Sequence, residues 1–248
     1  EAERRGYDIT FITHNMGHSK MTYLEHCRYR NVDGVCIVCS HFDDSEVLQL
    51  VSSPLPLVTI DHVFNNKACI QSENRQGIEA LTRYILSMGH KKVAFIYGAQ
   101  DTVSDIRLTS FLRTMNDAGL SVPDDYLIAS PYHDPASTRE ATAQLLSLMD
   151  RPTCILMPDD YSALGGMDAI RAAGLRVPED ISITGYDGVA MIQMCQPQLT
   201  TVEQDVFKIG REAARKLVHL IEQPRTTLPE IVSVPCRLIT GGTVARLA

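Results

Sequence analysis

No run of apolar residues in this 248-residue chain reaches the roughly 18 that a membrane-crossing helix needs. No cluster of lysine or arginine is present, and the net charge is −7, so this chain by itself lacks the basic surface that grips nucleic acid. The seven cysteines show no framework spacing, which points to reduced thiols in a reducing compartment. The opening residues EAERRGYD are charged and lack the apolar core of a secretory signal. They imply a cytoplasmic protein or one that has lost an N-terminal part. There is no GxSxG elbow, no GxGxxG behind a strand and no phosphate-binding P-loop. The expectation is therefore a protein that is not an enzyme and needs no cofactor, metal or membrane.

What remains is an ordinary globular composition, 44% hydrophobic and 21% charged, in a chain long enough for one or two domains. The most informative stretch runs from Pro152 to Gly188. Two short apolar runs, Thr153–Met157 and Ile181–Tyr186, flank a helical pattern with apolar residues at Ala163, Met167 and Ile170. This reads as a βαβ unit with parallel, buried strands. Asp159 and Asp160 follow the first strand and Asp187 follows the second. Carboxyl ends of parallel strands are where open α/β sheets bind ligands.

The rest of the chain alternates strand and helix. Glu1–Arg5 reads as a last helical turn stopped by Gly6, and Tyr7–Thr13 as the first strand. His14 and His18 sit in a surface or ligand-facing loop; Gly17 between them argues against the helix a metal pair would need. A helix around Lys20–Arg30, a strand Gly34–Cys39, a helix Ser45–Ser52 and a strand Leu57–Asp61 follow. Cys36 and Cys39, with His41 beyond, read as core cysteines of a buried strand, since residues three apart on a strand point to opposite faces. Cys69–Ile70 is a short apolar piece before the clearest helix, capped by Ser72, with Ile78, Leu81, Ile85 and Met88 on one face. The strand KKVAFIYG follows, then a helix on which Arg107, Phe111 and Met115 share a face. Arg107 is either a structural ion-pair member or a clamp for hydroxyls and carboxylates.

AGLSVPDD (118–125) recurs as AGLRVPED (173–180), the same helix-to-strand turn used twice. Between the copies lie a strand near Tyr126–Ser130, a loop carrying Tyr132 and His133, and a helix from about Ser137 to Met149. The aromatic pair is a stacking position for a ring or a packed loop. LTTVEQD then makes a short strand. Val206–Glu222 makes a long helix with Val206, Ile209, Ala213, Leu217 and Leu220 on one stripe, and Ile231–Ile239 the last strand.

ENRQGIEALTRYILSMGHKKVAFIYG, SDIRLTSF, the whole Pro152–Asp187 stretch and PQLTTVEQDVFKIGREAARKLV occur in one order. Together they resemble the effector-binding core of the lac repressor (LacI/GalR) family of sugar- and purine-responsive transcriptional regulators, from Gly6 to Thr243. The resemblance implies a two-lobed, periplasmic-binding-protein-like (type I) α/β fold. Each lobe is a mostly parallel sheet flanked by helices, with three lobe crossings and the ligand between the lobes. Carried onto this chain, the N-terminal lobe is 1–71 plus 205–233 and the C-terminal lobe 72–204 plus 234–248. The family's helix-turn-helix DNA-binding domain and the first strand of its N-terminal lobe are not in this sequence, so operator DNA is a partner through that N-terminal domain only.

The same resemblance assigns ligand contacts. Arg107 matches the arginine that pairs with ligand hydroxyls or carboxylates, and Asp187 the aspartate that accepts from hydroxyls. Asp159 stands where the family usually has asparagine. Gln204 and Asp61 match cleft-facing positions, and His133, rather than Tyr132, falls at the family's aromatic platform. Asp160 reads as the helix N-cap. Gly241 replaces the family's usual tail arginine. Three carboxylates with one guanidinium favour a neutral sugar or polyol over an acid or phosphate. The implied protein is a cytoplasmic homodimer, with the helix near Leu48–Ser52 a candidate dimer surface, that modulates operator binding in response to this effector. The alternative is a periplasmic sugar-binding protein of a transporter.

Overall fold

The computed structural model describes residues 1–12, 21–38, 42–98 and 101–247. In chain order the elements are α1 (Tyr23–Tyr29), β1 (Val35–Ile37), α2 (Ser45–Val51), β2 (Leu57–Ile60) and β3 (Ala68–Ser72). Then come α3 (Asn74–Ser87), β4 (Val93–Tyr97), α4 (Thr102–Asp117), β5 (Leu127–Ala129) and α5 (Pro135–Leu146). The last are β6 (Cys154–Leu156), α6 (Asp160–Ala172), β7 (Ser182–Thr184), β8 (Thr201–Gln204), α7 (Val206–Glu222), β9 (Ile231–Val234) and β10 (Cys236–Ile239). The chain divides into two compact units, Glu1–Ser72 with Asp205–Val234 and Glu73–Gln204 with Pro235–Ala248.

In the first unit four parallel strands run in the order β1-β2-β3-β9. One layer of its core joins Val58, Ala68, Ile70 and Val234 to Ile209 and Ala213 of α7. A second joins Ile37 and Leu57 to Leu24 and Cys27 of α1 and to Val47, Leu50 and Val51 of α2. Alternation on the strands sends successive side chains to these two layers. Thr22 and Glu25 form a capping box on α1, and the Asp44 carboxylate caps α2.

The second unit holds a parallel sheet ordered β5-β4-β6-β7 and a separate antiparallel pair, β8 with β10. Ala94, Ile96, Ile155 and Ile183 pack with Leu145 of α5 and Ala163 and Ile170 of α6. Phe95 and Leu156 pack with Ile78, Leu81 and Ile85 of α3 and with Phe111 and Met115 of α4. The repeated AGLxVP turns both leave a helix through a glycine at φ +74°, Gly119 and Gly174.

Several expectations are corrected. Tyr7–Ile12 form no strand. Ile9 and Phe11, the alternating apolar pair, are 63% and 87% exposed, with no sheet face beneath them. Glu3–Arg5 is a 3₁₀ turn, closed by Gly6 as read. Ser72 does not cap α3. Its backbone pairs with Val234 in the β3–β9 ladder and its N–H donates to the Asp61 carboxylate (3.0 Å), leaving Glu73 at the cap position without a side-chain bond. Val206 leaves the α7 stripe and is 60% exposed, being the first helical residue, while Ile209 and Ala213 are buried. The run Ile231–Ile239 is two strands, not one. Pro235 offers no N–H to a ladder, and β9 lies parallel in one sheet while β10 lies antiparallel in another. Cys36 is exposed on β1 rather than in the core. Thr13, His14, His18, Cys39 and His41 lie outside the described residues.

Candidate functional site

Five of the six candidate contacts belong to the second unit, three of them just past strands of its parallel sheet. His133 follows β5, Asp159 follows β6, Asp187 follows β7, Gln204 ends β8, and Arg107 lies in the first half of α4, behind β4. Asp61 belongs to the first unit. It closes β2 in a left-handed conformation (φ +59°), its N–H donating to Ile70 O and its carboxylate accepting from Ser72 N.

Arg107 organises the group. Its side chain is buried, yet its charge is solvated by protein. Nε donates to Asn74 Oδ1 (2.9 Å), Nη1 donates to the Pro158 carbonyl (3.1 Å), and the guanidinium carbon lies 3.6 Å from the Tyr186 ring centroid. A flat, weakly hydrated guanidinium can stack on an aromatic face while using its N–H groups at the rim, which an ammonium cannot. Tyr132 approaches more distantly, at 5.8 Å, and its hydroxyl lies 2.8 Å from Ser104 Oγ. Burial pushes the Tyr132 phenol up, against the opposing pull of Arg107. The ring has room because residue 98 is glycine: a Cβ there would stand 2.1 Å from it.

Asp187 adopts φ +103°, uncommon for a residue with a side chain. It is held there by a bridge to β8: its N–H donates to Val202 O (2.8 Å) and its carbonyl accepts from Gln204 N (3.1 Å). Gln204 Nε2 also donates to the Asp187 carboxylate (2.6 Å), so these two candidates are direct partners. Burial raises the Asp187 pKa, and Arg107 and then Gln204 oppose that shift. Strained backbone of this kind concentrates at functional sites, where surrounding bonds over-determine it.

Of the two adjacent aspartates, the cap falls to the one not expected to provide it. Asp159, not Asp160, caps α6: it accepts from Ser162 N (2.8 Å) and Ser162 Oγ (2.7 Å). It also accepts from the backbone N–H of His133 (2.8 Å), and it is fully buried. Asp160 is one residue too late to cap. Its carboxylate turns inward to accept from Thr201 Oγ1 (2.6 Å) and Val189 N (2.7 Å). Burial pushes its pKa up to about 7, with Thr201 and Val189 pulling against that.

Sequence reasoning missed Asn74, Ser104 and Tyr186, which hold Arg107 and Tyr132, and Tyr161, whose ring meets His133 edge-on at 5.9 Å. Asn74 and Tyr186 lie inside motifs already singled out, ENRQG and GYDG, but nothing in their spacing announces a partner 33 or 79 residues away. Among the described residues, no group of three His, Cys, Asp or Glu could hold a metal ion, and no helix is long and apolar enough to cross a membrane.

A periplasmic binding protein-like domain matches residues 82–244. The HTH-type transcriptional repressor PurR of Pasteurella multocida (strain Pm70) is 32% identical over 225 residues, covering 89% of this chain and 67% of that protein. The ribose operon repressor of Escherichia coli (strain K12) is 31% identical over 243 residues, covering 96% and 73%. Thus the chain spans about two thirds to three quarters of these relatives' length. Among solved structures, a LacI family transcriptional regulator from Enterococcus faecium with bound ribose superposes with a TM-score of 0.80. It is 26% identical, over 91% of this chain and 84% of that one. With the domain matched over most of its length and repressors as its relatives, the chain belongs to the LacI family of transcriptional repressors and carries that family's periplasmic-binding-protein-like effector core.

Proposed function

We propose that this core binds a small neutral sugar or similar polyol, and that binding modulates operator recognition by the protein it belongs to. The observation that carries the reading is the Arg107–Asp187–Gln204 group: a stacked guanidinium, a strained carboxylate and an amide at one strand end. Sugar hydroxyls donate and accept at once, and this set offers both functions. With Asp159 behind it the group carries more negative than positive charge, which disfavours phosphates and acids. Asp61 is the contact proposed from the first unit. The ribose held by the Enterococcus faecium relative supports the ligand class. The family of repressors favours a regulator over a transport protein, and a dimer acting on operator DNA through a helix-turn-helix segment fits that reading. An effector transmits only the difference in its affinity for the operator-competent and operator-incompetent states.

The test is a thermal-shift screen of neutral mono- and disaccharides against sugar phosphates, with Asp187→Ala and Arg107→Ala alongside. A neutral sugar should raise the melting temperature of the parent chain and not of either variant. Stabilisation by sugar phosphates, with neutral sugars silent, would overturn the ligand class.

A further inference from the structure

Asp159 replaces the expected asparagine, and it is buried under His133 rather than open to a ligand. Three donors converge on its oxygens: Ser162 N, Ser162 Oγ and His133 N. The carboxylate is therefore an acceptor throughout. Its Oδ1 also faces Nδ1 of the His133 ring, at 3.5 Å. The His133 side chain is 60% exposed, while that of Asp159 is wholly buried. His133 backbone is left-handed (φ +55°), held so by the bond from its own N–H to Asp159. Tyr161 meets the ring edge-on, with planes 82° apart, and the Tyr132 ring centroid stands 6.3 Å away. Among the described residues, Nε2 has no hydrogen-bond partner.

A neutral imidazole carries one proton, and the nitrogen that faces a carboxylate keeps it, because a lone pair there would meet another lone pair. We propose that Asp159 is a positioning residue that holds the His133 proton on Nδ1, so that His133 presents Nε2 to the effector as a hydrogen-bond acceptor. Asp159 thus sets the polarity of its neighbour without touching the ligand. The pair selects an effector that brings a hydroxyl or amine hydrogen to this spot. A carbonyl, carboxylate or phosphate oxygen there would face the Nε2 lone pair and be rejected. Asparagine at position 159 would put a neutral amide in place of the charge that holds the proton on Nδ1.

The consequence for the ligand rests on the sugar-binding reading; the proton position does not. Long-range proton–nitrogen correlation spectra of the ¹⁵N-labelled chain without effector, at about pH 8, above the ordinary histidine range near 6.5, read the tautomer directly. His133→Gln assigns the signal. His133 should carry its proton on Nδ1 in the parent chain. It should shift toward Nε2–H in Asp159→Ser, which keeps a helix-capping hydroxyl, and in Asp159→Asn, which keeps the volume. A proton on Nε2 in the parent chain would overturn the proposal, and so would an unchanged tautomer in a folded variant. If either variant fails to fold, the parent spectrum alone still decides. Failure of every sugar to bind would sink the proposed function and leave the tautomer result standing.

Discussion

Arg107 and Asp159 show how little a residue's type says about its task. Both are charged and buried; Arg107 is satisfied by groups far away in the chain, and Asp159 by Ser162 nearby and His133 farther off. Arg107→Lys keeps the charge but loses the fork that reaches Asn74 and Pro158 and the plane that lies on Tyr186. An ammonium so unseated would forfeit the charged hydrogen bond proposed to the effector, worth about 1.5–3 kcal/mol, so effector affinity should fall by about ten- to a hundredfold by calorimetry. A lysine variant binding as the parent does would show that the fork is unused. Gly98→Ala should weaken the same ligand by displacing the Tyr132 ring, whose nearest atom would lie 2.1 Å from the new methyl. Equal affinity for the two proteins would place Tyr132 outside the site. The candidate contacts His133, Asp159 and Asp187 were legible as strand-end positions in recognisable motifs, and Arg107 as a charge on an otherwise apolar helix face. Their supports were not. Neither of two adjacent acids announces itself as the cap, and the choice between Asp159 and Asp160 is made by where α6 begins, a matter of one residue that periodicity does not resolve.

At the level of elements, helices with long apolar stripes were readable, and α7 runs from Val206 to Glu222 as its stripe and the following proline require. Strands were readable where they are buried on both faces. Tyr7–Thr13 misled because alternation reports only a tendency to lie on a sheet, and Tyr7–Ile12 pair with no described strand. Ile231–Ile239 misled because hydrophobic pattern is blind to a change of partner; only Pro235 hinted at it. Between α5 and α6 the packing is close enough to test. A methyl at Gly165 would stand 1.9 Å from the Pro135 carbonyl oxygen. Gly165→Ala should therefore cost about 1–3 kcal/mol in urea unfolding, as overpacking does, despite alanine's better helix propensity. A neutral or stabilising result would mean the two helices separate freely.

For the molecule as a whole, Asp160 links stability to pH. Its carboxyl is fully buried, and burial pushes its pKa up to about 7, against an ordinary 3.8. Between those values the folded chain binds a proton that the unfolded chain releases, so this group's contribution to stability falls as pH rises from about 4 to about 7. The ceiling is about 4 kcal/mol. Melting temperatures should decline over that range in the parent chain relative to Asp160→Asn; parallel profiles would show that burial does not perturb the group. The order in which the chain is made adds a last consequence. β4 to β7 are complete once Thr184 has been synthesised, whereas the first unit's inner layer needs Ile209, Ala213 and Val234. On the ribosome, the second unit's parallel sheet is therefore complete before the first unit's inner layer can form. Residues 1–72 must wait, with Val58, Ala68 and Ile70 uncovered, until α7 and β9 emerge, so a ribosome stalled before α7 exposes an aggregation-prone sheet face beside a nearly finished neighbour.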